Sequence, residues 1–246
     1  MTDSTAPLIE VQQLSKDYQA LRPLRMRLLT VQAGDVMAIS GLDAVAAETF
    51  VHLVTGATLP DSGDISLFGV NTRSITDSTA WLASLDAVGM ITARGILLEG
   101  FSVLQNVAMA LTLDVEPIAP EFQPQASALA SEVGLDPSVF ETPTGRVSAD
   151  IRMRVHLARA LALGPKVLIG EHPSAELPRP SVASFAADLG RVARSRGLGV
   201  VVLTADDAFA AALGGQRLVL NGATGELKPP GLMAAFRGVL RGSERF

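Results

Sequence analysis

The chain has 246 residues and a formal net charge of −5, an acidic balance that argues against a nucleic-acid partner. Hydrophobic residues make up 48% of the chain and charged residues 18%, so we expect part of the surface to meet a partner. Cysteine is absent, and His52, His156 and His172 lie far apart, so we expect no metal site. No run approaches the ~18 apolar residues of a membrane span. Residues 1–11 also lack the basic and apolar parts of a signal peptide, and we expect a cytoplasmic protein.

The first part of the chain is predicted to contain strands around a strand–turn–helix unit. Alternation predicts strands at residues 8–14 and 26–31, and the apolar run at 36–39 is typical of a fully buried strand. After a turn of small residues, apolar side chains recur at helical spacing, at Ala47, Phe50, Val51 and Val54. This unit is the centre around which we expect the rest of the chain to be organised.

Strands and helices alternate through the remainder of the chain. Further strands are predicted at residues 64–68, 88–91, 166–169, 199–204 and 216–221. Further helices are predicted at residues 103–113, 125–133, 151–163 and 181–196. Such alternation indicates an α/β fold with a mainly parallel sheet covered on both faces. We expect one domain over residues 1–246, with residues 94–165 forming a helical subdomain within it.

The strand–turn–helix unit has the shape in which P-loop proteins hold phosphates on backbone N–H groups. Their pattern, G-x-x-x-x-G-K-[ST], falls on residues 41–48. Gly41 is present, but Ala46 replaces the second glycine, Ala47 the lysine and Glu48 the hydroxyl residue. A lysine at ~4 Å from a phosphate contributes roughly 4 kcal/mol per unit charge at an effective dielectric constant near 20. The side chains that handle phosphate are missing, although the backbone N–H groups of residues 42–48 can still cradle an anion.

Four stretches, in their order and spacing, resemble the ATP-binding subunits of ATP-binding cassette (ABC) transporters over nearly the whole chain. They are LIEVQQLSKDY at residues 8–18, PDSGDISLFG at 60–69, LLEGFSVLQNVAMAL at 97–111 and VSADIRMRVHLARALALGPKVLI at 147–169. The resemblance implies a P-loop NTPase-like core with a small antiparallel β subdomain and a helical subdomain. It also implies that Tyr18 holds the position of the aromatic residue that stacks on adenine.

Most functional positions of the family fall on other residue types in this chain. The resemblance places the metal-sensing glutamine at Ala93, the catalytic glutamate at His172 and the switch histidine at Ala205. The aspartate that precedes the catalytic glutamate becomes Glu171, while Ser148 matches the serine of the family's signature motif. Phosphoryl transfer depends on positioning and charge, so with these substitutions we do not expect ATP hydrolysis.

Each retained position has a functional and a structural interpretation, and the sequence does not decide between them. Tyr18 either stacks on adenine or packs in the core, and Thr49 either meets a phosphate or bonds back to its helix. Glu171 either binds magnesium or is a satisfied polar group at an interface. His172 either acts as a weak base or fills the vacated glutamate position. Ser148 either contacts a nucleotide held by a partner or caps the helix that follows it.

Three hypotheses on function follow. In the first, the chain is a non-catalytic subunit that pairs with a second ABC-type subunit, either a competent ATPase or a copy of itself, under a membrane permease and peripheral to the membrane. A groove near residues 93–105 then holds the permease, and ATP with Mg²⁺ is confined to a composite dimer site. In the second, a divergent ATPase still binds and slowly hydrolyses ATP through Tyr18, Thr49, Glu171 and His172. In the third, the chain is a soluble scaffold or regulator. A helix with one apolar face is predicted at residues 232–246, docked on the domain or on a membrane surface.

Overall fold

The computed structural model describes residues 6–92 and 94–231. Its strands are β1 (Ile9–Lys16), β2 (Leu24–Val31), β3 (Val36–Ser40), β4 (Ser62–Leu67), β5 (Val70–Asn71), β6 (Val88–Thr92), β7 (Val167–Glu171), β8 (Gly199–Leu203), β9 (Gln216–Leu220) and β10 (Leu227–Lys228). Its α-helices are α1 (Ala44–Val54), α2 (Ser78–Ser84), α3 (Val103–Ala108), α4 (Gln123–Glu132), α5 (Ala149–Leu161), α6 (Arg179–Arg196) and α7 (Asp207–Leu213). Ala93 and the helix predicted at 232–246 lie outside the described residues.

A six-stranded sheet with the order β10-β9-β3-β8-β7-β6 forms the centre of the fold. Strand β3 pairs in parallel with β8 and β9, and β7 pairs in parallel with β6 and β8, whereas β10 runs antiparallel to β9. The predicted mainly parallel sheet is therefore confirmed. Leu203 of β8 lies opposite both Ile39 of β3 and Glu171 of β7, so these three strands end at the same edge.

A second sheet is antiparallel, with the order β2-β1-β4-β5, and confirms the predicted antiparallel β subdomain. Strand β1 is its centre, because Ile9 pairs with Val31 of β2 on one side and with Leu67 of β4 on the other. All three side chains are fully buried. This sheet therefore turns one apolar face toward the rest of the fold.

Two hydrophobic clusters lie on opposite faces of the parallel sheet. Successive side chains of a strand point to opposite faces, and Met37 and Ile39 of β3 join one cluster while Val36 and Ala38 join the other. The first cluster contains the inner face of the antiparallel sheet and helix α1. The second contains helices α3, α4, α5, α6 and α7. Helix α1, the element after β3, therefore packs against both sheets.

One predicted helix is too long, and two observed helices were not predicted. Helix α3 ends at Ala108 instead of residue 113, because the next residues close into tight turns, with Leu111 N–H donating to the Ala108 carbonyl at 2.8 Å. Helix α2 has seven residues and buries none of them, so it presents no buried apolar face from which periodicity could predict it. Helix α7 has seven residues, too few for such a pattern. Within residues 6–92 and 94–231, no helix is long and apolar enough to cross a membrane.

Candidate functional site

The carboxyl edge of the parallel sheet opens into a cavity of about 550 Å³. Because the ends of β7 and β8 lie side by side, Glu171 and His172 meet Ala205 there. The first turn of α1 contributes Ala44 and the end of β6 contributes Thr92. Three of the positions predicted from sequence are thus brought together, at the edge where α/β folds bind ligands.

The turn that leads into α1 is shorter than the pattern at residues 41–48 suggests. Only residues 41–43 separate β3 from α1, and the helix begins at Ala44. Asp43 is the N-cap: its carboxylate accepts from Ala46 N–H at 2.8 Å, and its carbonyl accepts from Ala47 N–H at 2.9 Å. A carboxylate at this position satisfies free N–H groups and complements the helix dipole. Two N–H groups of the window predicted to hold an anion are therefore bonded within the chain.

Packing explains other residues of the window. Gly41 has φ +94°, and a Cβ there would lie 2.5 Å from the Leu220 carbonyl oxygen, so the close approach of β9 requires glycine. Ala46 and Ala47 are buried in the cluster between the two sheets. Thr49 Oγ1 donates to the Val45 carbonyl at 2.7 Å, which is the helix-bonded arrangement considered for it above.

An arginine that sequence reasoning did not select joins α1 to β7. Arg94 Nη1 lies 2.6 Å from a carboxylate oxygen of Glu48, and Arg94 Nη2 lies 2.6 and 2.7 Å from the two oxygens of Glu171. The Glu171 side chain is only 10% exposed, against 54% for Arg94 and 38% for Glu48. Hydrogen bonds to Glu48 and then to Glu171 raise the pKa of Arg94 further above its usual value. The two carboxylates therefore share one permanent cation.

His172 and Asp206 have defined structural positions at the same edge. His172 adopts φ +43°, and its N–H donates to the Leu203 carbonyl at 2.9 Å, which fixes the turn after β7. Its Nε2 is buried and has no hydrogen-bond partner in the described part of the chain. Asp206 caps α7 by accepting from the N–H groups of residues 208 and 209, and it pairs with Arg179 at 3.1 Å. Asp206, which follows Ala205, is therefore occupied in capping α7.

Three further predicted positions lie away from the cavity or outside the described residues. Tyr18 is half-buried against the cluster between the sheets, and partial burial, then the charge of Asp43, raises its pKa. Ser148 caps α5, where its Oγ accepts from Ile151 N–H at 3.4 Å, and it remains exposed. Ala93 is not among the residues that the structure describes.

A second cavity, of about 350 Å³, lies between β6, the following loop and α5. Its rim carries exposed apolar side chains, with Met90 51%, Ile96 78% and Leu163 58% exposed. His156 lies on its wall, and burial, followed by the charges of Arg159 and Arg152, lowers the pKa of His156 to about 4. An apolar rim around a neutral histidine suits an apolar partner segment.

A fully buried asparagine holds the loop beside this second cavity. Asn106 of α3 accepts from Leu98 N–H at 2.9 Å and donates to the Leu98 carbonyl at 3.0 Å. It also donates to the Ser102 carbonyl at 3.0 Å and to Thr144 Oγ1 at 3.3 Å. The loop before α3 therefore has a fixed path, although it contains little regular secondary structure.

The two sheets, the helices on one face and the strand-edge cavity define a cassette fold of the ATP-binding type. The ABC transporter family model matches residues 24–175, and the chain belongs to this family. The lipoprotein-releasing system ATP-binding protein LolD of Psychrobacter arcticus is 30% identical over 194 residues, which cover 79% of this chain and 85% of that protein. LolD of Geobacter metallireducens is 29% identical over 211 residues, with 84% and 93% covered. The resemblance inferred from the sequence is therefore confirmed.

Solved structures show the same fold at low sequence identity. The structure of cbiO1 from Clostridium perfringens, described as part of the ABC transporter complex cbiONQ, has a TM-score of 0.76 and 21% identity, and the match covers 96% of this chain and 94% of that chain. The dimeric structure of MJ0796, described as a bacterial ABC transporter cassette, has a TM-score of 0.71 and 19% identity, with 89% and 96% covered. At these identities the comparison shows the fold alone.

Asp43 and Arg94 are the site residues that sequence reasoning missed. Asp43 had a detectable signal, because an aspartate before a helix of apolar periodicity is a common N-cap. Arg94 had none, since its partner Glu171 is 77 residues away. Opposite charges at that separation pair only when the fold brings them together.

Proposed function

We propose that this chain is a non-catalytic, ATP-binding-type subunit of an ABC transport complex. The observation that carries the proposal is the start of α1, where the Asp43 carboxylate accepts from Ala46 N–H inside the phosphate-loop window. A bound phosphate would have to displace this carboxylate from the helix N-terminus. We also propose that residues 94–165 act as the helical subdomain, supported by the packing of α3, α4 and α5 in one cluster.

Charge is the main obstacle to a phosphate at this turn. Ala47 supplies no ammonium group, the Asp43 carboxylate occupies the N-terminus of α1, and Glu48 adds a second carboxylate to the loop, paired with Arg94. Each unit charge at ~4 Å changes the interaction by about 4 kcal/mol at an effective dielectric constant near 20. The family implies ATP with Mg²⁺, and these side chains do not suit that pair, because an alanine replaces the lysine and a carboxylate replaces the hydroxyl group that hold it.

Exposed apolar side chains at the second cavity support a membrane partner. LolD is described as part of a lipoprotein-releasing system and cbiO1 as part of a transporter complex. In this chain, Met90, Ile96 and Leu163 form the rim on which we place an apolar segment of a permease subunit. The chain would then be peripheral to the membrane on its cytoplasmic side. A second ABC-type subunit would face Ser148, with ATP and Mg²⁺ held by that subunit's own loop.

Nucleotide binding tests the proposal directly. Isothermal calorimetry with ATP and Mg²⁺ is made on the wild type, on Ala47→Lys/Glu48→Ser, and on the triple variant that adds Asp43→Ser. We expect no heat from the wild type at millimolar ATP and binding by the triple variant, whose serine still caps α1. Asp77, the N-cap of α2, provides the control, since Asp77→Ser in the double variant changes a cap outside the window.

Micromolar binding by the wild type, with Mg²⁺-dependent turnover lost in His172→Ala, would refute the proposal and favour a divergent ATPase.

A photoreactive amino acid at position 96 tests the partner. It should crosslink a membrane protein in source cells, whereas the same group at Leu113, which is 88% exposed and outside the groove, should not. Equal labelling from both positions would argue for a scaffold without a defined permease site.

A further inference from the structure

We propose that Arg94 is a built-in cation that replaces the divalent metal ion of this site, so that the strand edge keeps its arrangement without Mg²⁺. The proposal rests on the non-catalytic function in one respect. A subunit that does not hydrolyse ATP has no need to exchange a metal ion at this site with each nucleotide. It concerns the carboxylates of Glu48 and Glu171, which the guanidinium joins.

The two carboxylates occupy the positions from which P-loop proteins hold Mg²⁺. There, the hydroxyl that ends the phosphate-loop pattern and a carboxylate from another part of the chain are the protein ligands. In this chain Glu48 has the first position and Glu171, the last residue of β7, has the second. The Arg94 guanidinium lies between them, with nitrogen–oxygen distances of 2.6 Å to each. A positive charge is therefore already present where the metal would bind.

The charges explain why a cation is required. Glu171 is 10% exposed, and a buried carboxylate without a partner is strongly unfavourable. Glu48 stands where the pattern has a hydroxyl residue, and it brings a second negative charge to the same guanidinium. Arg94 contacts both oxygens of Glu171, the two-point geometry for which a guanidinium is suited. Unlike a metal ion, it cannot dissociate, and it stays charged at any physiological pH.

Other charged groups at the cavity are already engaged. Arg179 pairs with Asp206 at 3.1 Å and is 84% exposed, so it does not compete for Glu171. Asp43 is held by the N-terminus of α1. Within the described part of the chain, no group of three or more His, Asp or Glu side chains is arranged to hold a metal ion. Arg94 is therefore the cation that compensates the charges of Glu48 and Glu171.

The position of Arg94 gives this pairing a structural consequence. Arg94 follows β6 and precedes Gly95 and Ile96, which line the second cavity. Its ion pairs fix the start of that segment to α1 and β7. We therefore expect the second cavity to keep its arrangement whether or not a metal ion is present in solution.

Metal binding without nucleotide tests the proposal. Mn²⁺ binding is followed by electron paramagnetic resonance, and the melting temperature (Tm) is measured in chelator and in millimolar Mg²⁺. We expect the wild type to bind no Mn²⁺ and to show the same Tm in both buffers. Arg94→Gln should have a lower Tm in chelator and should gain Mn²⁺ binding. Mg²⁺ at tenfold its Kd should raise the Tm of this variant by about 3–6 °C.

Three further variants separate a metal position from a general loss of stability. Arg179→Gln removes the other cavity arginine and should gain no metal binding. Adding Glu171→Gln to Arg94→Gln should abolish the gained binding. Arg94→Lys keeps a cation and should remain free of Mn²⁺, which gives a result even where the glutamine variant folds poorly.

Two results would overturn the proposal. One is Mn²⁺ binding by the wild type as tight as that of Arg94→Gln, and the other is no metal binding by folded Arg94→Gln. Neither result bears on the proposed function, because the samples contain no nucleotide. Conversely, ATP turnover by the wild type would refute the non-catalytic function, while the metal-binding comparison would still be decided by its own data.

Discussion

Removal of the buried cation between α5 and α6 should destabilise the chain far more than removal of its exposed neighbour. Arg154 of α5 has a side chain only 8% exposed, and it lies 3.1 Å from Asp150 and 2.8 Å from Asp188 of α6. It also donates to the Val133 carbonyl at the end of α4 and lies 6.0 Å from the Phe185 ring centre. One guanidinium therefore joins three helices of the second cluster.

The expected size of the effect follows from burial. Removing one partner of a buried ion pair costs about 3–5 kcal/mol, because the remaining charge loses both partner and solvent. Asp150 and Asp188 keep 23% and 30% of their side-chain exposure and are partly hydrated. We therefore expect Arg154→Met to reduce the free energy of unfolding by about 3 kcal/mol. In a chain of this size that lowers Tm by about 6–12 °C.

Arg191 supplies the matched control, because it pairs with the same carboxylate from the surface. It lies 3.2 Å from Asp188 and is 53% exposed, and exposed pairs contribute about 0–1 kcal/mol. Urea unfolding followed by circular dichroism should show a small change for Arg191→Met and a large one for Arg154→Met. Equal losses in the two variants would refute the reasoning, since Arg154 differs from Arg191 in its burial and in its second carboxylate partner, Asp150.

Three other outcomes are expected. Gly41→Ala combines φ +94° with a Cβ 2.5 Å from the Leu220 carbonyl oxygen, and it should lower the free energy of unfolding in urea by about 2–4 kcal/mol. Gly34→Ala has φ +83° but open space around its Cβ, and it should lower the same free energy by about 1 kcal/mol. Similar losses in the two variants would exclude the close approach to Leu220 as the cause. Asn106→Asp, which replaces the amide donor by a carboxylate oxygen that faces the Leu98 and Ser102 carbonyls, should cost about 2–4 kcal/mol at neutral pH, and an unchanged Tm would contradict the described network. The lowered pKa of His156, about 4 against 6.5 in the unfolded chain, means that the unfolded state binds the extra proton first. Stability should therefore fall as pH decreases from 6.5 to about 4, and the same slope in His156→Gln would assign the loss to other groups.

Much of the fold is recoverable from the sequence because the signals are local. The continuous apolar run at residues 36–39 predicts β3, a strand buried on both faces. The alternation at residues 8–14 predicts β1, because every second side chain of a strand points to the same face. Helices α1, α5 and α6 are long enough to show an apolar face. Helices α2 and α7 are short, and the end of α3 is set by turns, so periodicity neither reveals the two helices nor limits the third.

At the candidate site, the sequence determined which residue types replace the family's pattern: Ala47 and Glu48 in the loop and His172 after β7. The tertiary structure decided what these substitutions do. It showed Asp43 on the N-terminus of α1 and Arg94 between two carboxylates from different elements. A residue type is a property of the chain at one position and can be read there. An ion pair depends on the path of the chain between its partners, and for Arg94 and Glu171 only the folded sheet provides it.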